Sequence, residues 1–264
     1  MKTIAFARIS SLILLALTAI VLIALQIKLF GWILFGLGVC ATLLATKQFR
    51  KDIILIYGSL AILGITPITT DVTALHILQM GFLLSLAVAI PYIISRYIYK
   101  DHLVRFQFHH GRKWHTKEIS YIFLTAIITY LLFPFMLRET GSYLNWTVLP
   151  GVGNLFILFL GTNALGIWDE LFFVNTVLGI LRKHISFQTA NFIQAILFTS
   201  FLYELGFRGW IFIIIFLFAL LQGYIFKKTE SLFYVITIHL VADLVLYLTL
   251  IYLHHPDWLP IFFT

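Results

Sequence analysis

The sequence predicts an all-α protein, a polytopic transmembrane helix bundle of about eight or nine spans. Hydrophobic residues make up 61% of the chain and charged residues 11%, with a mean hydropathy of +1.00. Apolar runs recur that are long enough to cross a hydrocarbon core of roughly 30 Å at about 1.5 Å per residue. Basic residues recur in alternate segments between these runs, as they do in multi-pass membrane proteins.

Nine segments are predicted to cross the membrane. They cover residues 4–25, 29–46, 52–68, 75–97, 119–137, 153–181, 187–205, 209–226 and 231–253. The first follows Lys2 and Arg8, as the apolar part of a signal peptide would. No small-residue cleavage site follows it, so we interpret it as a permanent anchor.

The loops after every second segment carry most of the Lys and Arg residues. These are Lys47, Arg50, Lys51, Arg96, Lys100, Arg105, Arg112, Lys113, Lys117, Arg182, Lys183, Lys227 and Lys228. The positive-inside rule places these loops in the cytoplasm, with the amino terminus inside and the carboxy terminus outside. We expect a bacterial inner (plasma) membrane by default. The net charge of +7 then comes mostly from the basic residues that set the topology. We expect these residues to face anionic lipid headgroups, and not to form a nucleic-acid-binding surface.

The chain is predicted to have two parts. Residues 1–140 form amino-terminal transmembrane helices with a basic cytoplasmic loop at 98–118, and residues 141–264 form a carboxy-terminal helical core. The histidines of that loop, at positions 102, 109, 110 and 115, match no closed metal-ligand spacing, so we interpret the loop as solvated. A single cysteine, Cys40, excludes an internal disulfide framework.

Four acidic residues stand apart from the other seven because they lie inside apolar runs. They are Asp169, Glu170, Glu204 and Asp243. An ionised carboxylate at the middle of a bilayer costs roughly 2.5 kcal/mol or more on insertion scales. Four of them in the last hundred residues therefore predict a polar site.

Helix geometry predicts which of these residues meet. Counted from the basic ends of their spans at about 1.5 Å per residue, Asp169 and Asp243 lie roughly 18 Å deep and His239 about 12 Å deep. His239 and Asp243 are four residues apart and share one helix face. Asp169 and Glu170 differ by about 100° around a helix, so one can face a site while the other braces a neighbour. Glu204 lies about 25 Å deep and is four residues from Arg208, which favours a surface ion pair.

Two stretches between Trp168 and about Leu250 resemble a known family. They read Trp168-Asp169-Glu170-Leu171-Phe172-Phe173-Val174-Asn175, and Gly223 to Leu232 followed by His239-Leu240-Val241-Ala242-Asp243. The first resembles the Glu-Glu-x-x-x-Arg motif of the CPBP intramembrane proteases, and the second resembles their closing His-x-x-x-Asn/Asp motif. That family includes the type II CAAX prenyl endopeptidases and bacteriocin-processing enzymes.

The chain departs from the family at several positions. Asp169 replaces the first Glu, and Val174 and Asn175 stand where the family has Arg and usually Gly. The middle motif, Phe-x-x-x-His, aligns with Phe198 and Leu202, so its histidine is absent. An alternative alignment takes Tyr203 to Gly209 as the first motif and Phe218 to Gln222 as the second. We prefer the first alignment because it leaves the basic turns at Arg182-Lys183 and Lys227-Lys228 where the family has them.

The resemblance implies an intramembrane endopeptidase that hydrolyses a peptide or lipidated peptide with a carboxylate-activated water. It implies Asp169 or Glu170 as the base, His239 as donor or ligand, Asp243 as its partner, and Glu204 as a further candidate. A divalent metal such as Zn on His239, Glu170, Asp243 and Glu204 is a second hypothesis, because imidazole and carboxylate together suit such ions. Two alternatives stay open: a catalytically inactive relative that binds a membrane partner or lipidated peptide, and an ion-coupled carrier.

Overall fold

The computed structural model describes residues 2–71, 73–108 and 113–263, and within them the chain is helical with no β-strand. The α-helices are α1 Lys2–Thr18, α2 Lys28–Leu43, α3 Lys47–Ile65, α4 Ala74–Ile93, α5 Thr116–Thr140, α6 Val152–Asp169, α7 Leu178–Leu181, α8 Phe187–Glu204, α9 Ile211–Thr229 and α10 Leu232–His254. Short π-helical segments continue α1, α4 and α6 at Ala19–Ala24, Ile94–Ile98 and Glu170–Val177. Two 3₁₀ turns, Ser142–Asn145 and Pro256–Trp258, lie in the connections.

The helices coincide in position with the nine predicted segments once α6, its π segment and α7 are taken as one rod, which confirms the all-α prediction. In the described part of the chain, six rods are long and apolar enough to cross a membrane: Thr3–Ala24, Ala74–Ile98, Thr116–Thr140, Val152–Leu181, Ile211–Thr229 and Leu232–His254. Helix α2 is apolar but shorter. Helix α3 begins with several charged residues, and α8 carries Asn and Gln side chains, which lowers the hydropathy of both.

Contacts between loops show that the predicted alternation of loops is present in the fold. At one end, which we call the basic end, Lys51 pairs with Asp101 at 2.8 Å, and Arg8 donates to the carbonyl oxygen of His184 at 2.8 Å. At the other end, Asn145 donates to the carbonyl oxygen of Gly206, and Thr70 donates to that of Asn145. Loops predicted to share a side of the membrane therefore touch one another.

A buried carboxylate joins the first predicted part of the chain to the second. Asp52 on α3 is fully buried, and its Oδ2 atom lies 2.8 Å from both Lys183 Nζ and His184 Nε2, just after α7. Gln48 donates to the same carboxylate at 3.0 Å. Because an ionised carboxylate is stable inside a protein only when it is paired, this cluster fixes α3 against the end of α7.

An aromatic cluster packs around the carboxy-terminal end of α6. Trp168 Nε1 donates to the carbonyl oxygen of Leu84 on α4 at 2.7 Å. The indole ring stacks on Phe172 at 5.0 Å between centroids and contacts Phe201 of α8 at 4.8 Å. Trp168 thus contacts both α4 and α8, and these contacts fix the position of the backbone next to Asp169 and Glu170.

Replacing Asp52 by Asn should lower the unfolding free energy by about 1–3 kcal/mol, because Lys183 loses a buried charged partner. The matched control is Asp257→Asn, which removes an exposed carboxylate. Thermal unfolding in detergent measures both. Equal unfolding temperatures for the two variants would contradict the structural role of Asp52.

Candidate active site

A π-helical segment shapes the site where the chain passes Glu170. Over Glu170–Val177 the helix widens, and the Thr176 hydroxyl donates to the carbonyl oxygen of Leu171, five residues earlier, at 2.8 Å. Such segments are rare and occur often at functional sites. The sequence predicted a continuous α-helix here, and no pattern in it signalled the change in winding.

Glu170 binds one side of the His239 ring. Its Oε1 atom lies 2.8 Å from His239 Nδ1 on α10 and accepts a hydrogen bond from Gln222 Nε2 on α9, also at 2.8 Å. Gln222 donates as well to the carbonyl oxygen of Val235 at 3.0 Å. Glu170 and Gln222 are fully buried. The imidazole is thus oriented from three elements: the π segment, α9 and α10.

The other ring nitrogen of His239 faces two aspartates. His239 Nε2 lies 3.9 Å from Asp169 Oδ2 and 3.8 Å from Asp243 Oδ1. These separations are too long for direct hydrogen bonds. Asp169 Oδ1 and Asp243 Oδ2 are buried without a hydrogen-bond partner among the described residues. Unsatisfied buried carboxylate oxygens next to an imidazole are the atoms that a polar ligand or water would satisfy.

A cavity of about 270 Å³ reaches these three residues. Asp169, His239 and Asp243 form its polar wall, and Glu170 does not line it. The remaining lining is mainly apolar, and its hydroxyl side chains are Tyr121, Thr125 and Thr129 of α5 and Thr162 of α6. Lining residues of α5 and α9, namely Ile128, Leu132, Leu217 and Leu221, are also exposed at the surface of the bundle. The mouth therefore lies between α5 and α9, where a membrane would present lipid.

Gly166 allows α6 and α10 to approach closely at the site. A Cβ atom at this position would lie 1.9 Å from Asp243 Oδ2, 3.0 Å from Asp243 Cγ and 3.1 Å from His239 Cδ2. Any larger residue would displace the Asp243 carboxylate.

The structure brings four of the five predicted site residues together: Asp169, Glu170, His239 and Asp243. Glu204 is not among them. It lies at the end of α8 with its carboxylate 3.7 Å from Arg208, and it does not line the cavity. The i,i+4 pair with Arg208 is the arrangement that their spacing favoured.

The geometry does not fit the ligand set that we considered for a metal. Glu170 lies against Nδ1 of His239 and Asp243 lies toward Nε2, so the two carboxylates sit on opposite sides of the ring. Within the described ranges, no group of three or more His, Cys, Asp or Glu residues could hold a metal ion. In the basic loop, His102 Nδ1 contacts Arg96 at 3.2 Å, whereas His109 and His110 lie outside the described residues.

The placement of the middle motif favours the preferred alignment. The Phe198 ring lies 5.9 Å from the His239 ring, and Leu202, one turn further along α8, lines the cavity. Leucine therefore occupies the place where the motif has histidine. The alternative alignment would require Glu204 at the site. Gln222, which that alignment had singled out, instead braces Glu170, a role that sequence reasoning missed.

A buried carboxylate and histidine cluster inside a membrane-spanning helical bundle defines the chain as an integral membrane protein with an internal polar site. Residues 151–245, just over a third of the chain, match the family described as type II CAAX prenyl endopeptidase Rce1-like. The matched residues include both motif stretches, which confirms the resemblance of the carboxy-terminal part to the CPBP intramembrane proteases. Neither the comparison with curated proteins nor that with solved structures gave a significant match.

Gly166→Ala should destabilise the protein and displace the Asp243 carboxylate, although alanine in a helix is otherwise favoured over glycine by about 1 kcal/mol. The matched control is Gly161→Ala on the same helix, where an added Cβ meets only Ile77 Cδ1 at an ordinary 3.6 Å. In an Asp243→Ala background the clash with the carboxylate is gone, so Gly166→Ala should cost less there. Unfolding temperatures of the four variants measure this coupling, and identical costs in both backgrounds would contradict the close approach.

Proposed function

We propose that this protein is a divergent intramembrane endopeptidase of the CPBP type, which hydrolyses a peptide bond with a carboxylate-activated water. The observation that carries the proposal is the His239 ring. One of its nitrogens is fixed by buried Glu170, and the other faces a cavity together with Asp169 and Asp243. The family match over residues 151–245 supports the same class of reaction.

The reacting water would bind to the carboxylate of Asp169, beside His239, whose Nε2 atom lies 3.9 Å from Asp169 Oδ2 and keeps its N–H for the carbonyl oxygen of the substrate. Asp169 lines the cavity and has an unpartnered oxygen, so it is the carboxylate best placed to act as general base. As the water oxygen bonds to the carbonyl carbon, one water proton passes to Asp169. When the carbon–nitrogen bond breaks, Asp169 returns that proton to the leaving amine.

His239 would stabilise the oxyanion. In its protonated form the ring donates from Nδ1 to Glu170 and from Nε2 into the cavity, where charge develops on the carbonyl oxygen. Glu170 and Gln222 act through His239 by fixing its orientation. Asp243 Oδ1 lies 3.8 Å from the same Nε2 atom, so two carboxylates flank this nitrogen.

The cavity also suits a substrate with a lipid-like part. Its carboxylates and its histidine lie together on α6 and α10, most of the remaining lining is apolar, and its mouth faces the hydrocarbon region between α5 and α9. A scissile peptide bond attached to an apolar group could therefore enter from the bilayer. We propose a lipidated or strongly apolar peptide as the substrate class.

Asp169→Asn should lower cleavage at least 100-fold, because loss of a general base typically costs 10² to 10⁴ in rate. The assay uses protein reconstituted in lipid and a farnesylated peptide with a free carboxy terminus, with products identified by mass spectrometry. In water enriched in ¹⁸O, the new carboxyl group should gain one labelled oxygen. Glu204→Gln removes an acid outside the site and should keep the wild-type rate.

His239→Ala should abolish cleavage with unchanged insertion and amount of protein. A wild-type protein that cleaves the peptide, with Asp169→Asn and His239→Ala equally active, would overturn the assignment. Loss of activity in Glu204→Gln to the same degree would show that the cavity residues have no special role.

A second function, a catalytically silent relative that binds a lipidated peptide, is favoured by one observation. Leu202 removes a polar group from the cavity wall, where the family motif supplies histidine. In that case the wild-type protein would bind the farnesylated peptide without cleaving it, and Asp169→Asn would bind it equally well. Leu202→Trp, which fills the cavity, should weaken binding in either case.

A further inference from the structure

A second, polar cavity lies at the basic end of the bundle and plays no part in the proposed reaction. Its volume is about 360 Å³, and it lies between the loop that follows α4 and the end of the rod formed by α6, the π segment and α7. The lining includes Arg105 and Gln107 from the loop, and Asn175, Gly179 and Arg182 from the rod. A Cβ atom added at Gly179 would meet no heavy atom within 4 Å, which marks open space beside the rod.

The charges of this cavity are unevenly balanced. Lys183 is paired with Asp52, and Asp101 is paired with Lys51, each at 2.8 Å. Burial raises the pKa of Asp101, but hydrogen bonds from Lys51, Ser95 and the Leu103 amide lower it overall, so this carboxylate stays ionised on Lys51. Of the charged residues that line the cavity, Asp101 and Lys183 are therefore already neutralised by partners outside it.

Two guanidinium groups remain. Arg105 Nε donates to the carbonyl oxygen of His102 at 2.8 Å, and Arg182 lies over the Phe226 ring at 5.9 Å. Neither forms an ion pair with a carboxylate among the described residues. Two cations without a carboxylate partner beside one cavity give it a net positive charge that suits an anion.

A buried amide adds a neutral donor to the same cavity. Asn175 is 5% exposed and lines the cavity, and its Nδ2 atom has no hydrogen-bond partner within the part of the chain that the structure describes. An unsatisfied buried amide donor costs about 1–3 kcal/mol, and an anion in the cavity that accepts from it would remove that cost. Rotation of the amide exchanges its oxygen and nitrogen, so the donor can be turned toward a ligand.

We propose that this cavity binds the phosphate group of an anionic phospholipid headgroup, held by Arg105, Arg182 and Asn175. Paired guanidinium groups bind phosphate through several parallel hydrogen bonds. The cavity lies at the end of the spans, where headgroup phosphates are found, and its volume leaves room for the glycerol part of a headgroup. Free inorganic phosphate offers the same chemistry from a second source.

The experiment measures binding of phosphatidylglycerol to protein purified in a neutral detergent, by thermal shift at constant ionic strength. Phosphatidylcholine and inorganic phosphate are titrated in parallel. Arg105→Gln with Arg182→Gln changes exposed side chains only and should weaken phosphatidylglycerol binding at least tenfold. The matched control, Lys47→Gln with Arg50→Gln, removes two exposed charges from the same end outside the cavity and should change binding less than twofold.

Asn175→Leu should weaken binding several-fold and serves as a test that leaves the net charge unchanged. Equal loss of affinity in the cavity pair and the control pair would overturn the proposal, because attraction would then come from surface charge alone. Inorganic phosphate binding as tightly as phosphatidylglycerol would overturn the lipid assignment in favour of a soluble anion. None of these readouts depends on proteolysis, so failure here is distinguishable from failure of the proposed activity.

Discussion

The hydrogen bond between His239 and Glu170 is the interaction on which the arrangement of the carboxy-terminal helices depends. Both residues are buried in a region that would lie within the membrane, where an unpaired polar group costs several kcal/mol. Pairing them requires α10 to lie against the π segment that follows α6. Gly166 permits that approach, and Gln222 brings α9 to the same carboxylate. One satisfied polar contact thus sets the relation of three helices.

The same pairing explains how a polar site can exist in an apolar bundle without disrupting it. Glu170 does not line the cavity and its Oε1 atom is bonded by His239 and Gln222, whereas its Oε2 atom has no partner among the described residues. Asp169 and Asp243 line the cavity, and each has one oxygen without a partner. The cost of burying the second pair is offset only when water or substrate completes their hydrogen bonds. Glu170 therefore orients His239, whereas Asp169 and Asp243 are available to a substrate in the cavity. The adjacent residues Asp169 and Glu170 thus have different roles, one in the reaction and one in positioning.

Much of this architecture follows from the sequence, because membrane helices obey strong constraints of length and polarity. Apolar runs, loop charges and helical spacing could predict the nine rods of the described residues, the alternation of basic loops, and the meeting of Asp169 with His239 and Asp243. The π segment could not, because no residue pattern within Glu170–Val177 distinguishes it from a continuing α-helix. The role of Gln222 also escaped prediction, since its partner lies on another helix and no spacing links them. For Glu204, the spacing of four residues to Arg208 correctly indicated an ion pair. Its position in an apolar run, which suggested a place in the site, was misleading.

The most direct test is a double-mutant cycle on the unfolding free energy, with Glu170→Met and His239→Phe as the single changes. Both replacements keep approximate size and remove the polar atoms, so neither can form a substitute hydrogen bond. The structure predicts that the two changes are coupled by about 1–3 kcal/mol, with the double variant less destabilised than the sum of the single variants. Strictly additive effects would show that Glu170 and His239 do not interact in the folded protein, and would contradict the site described above.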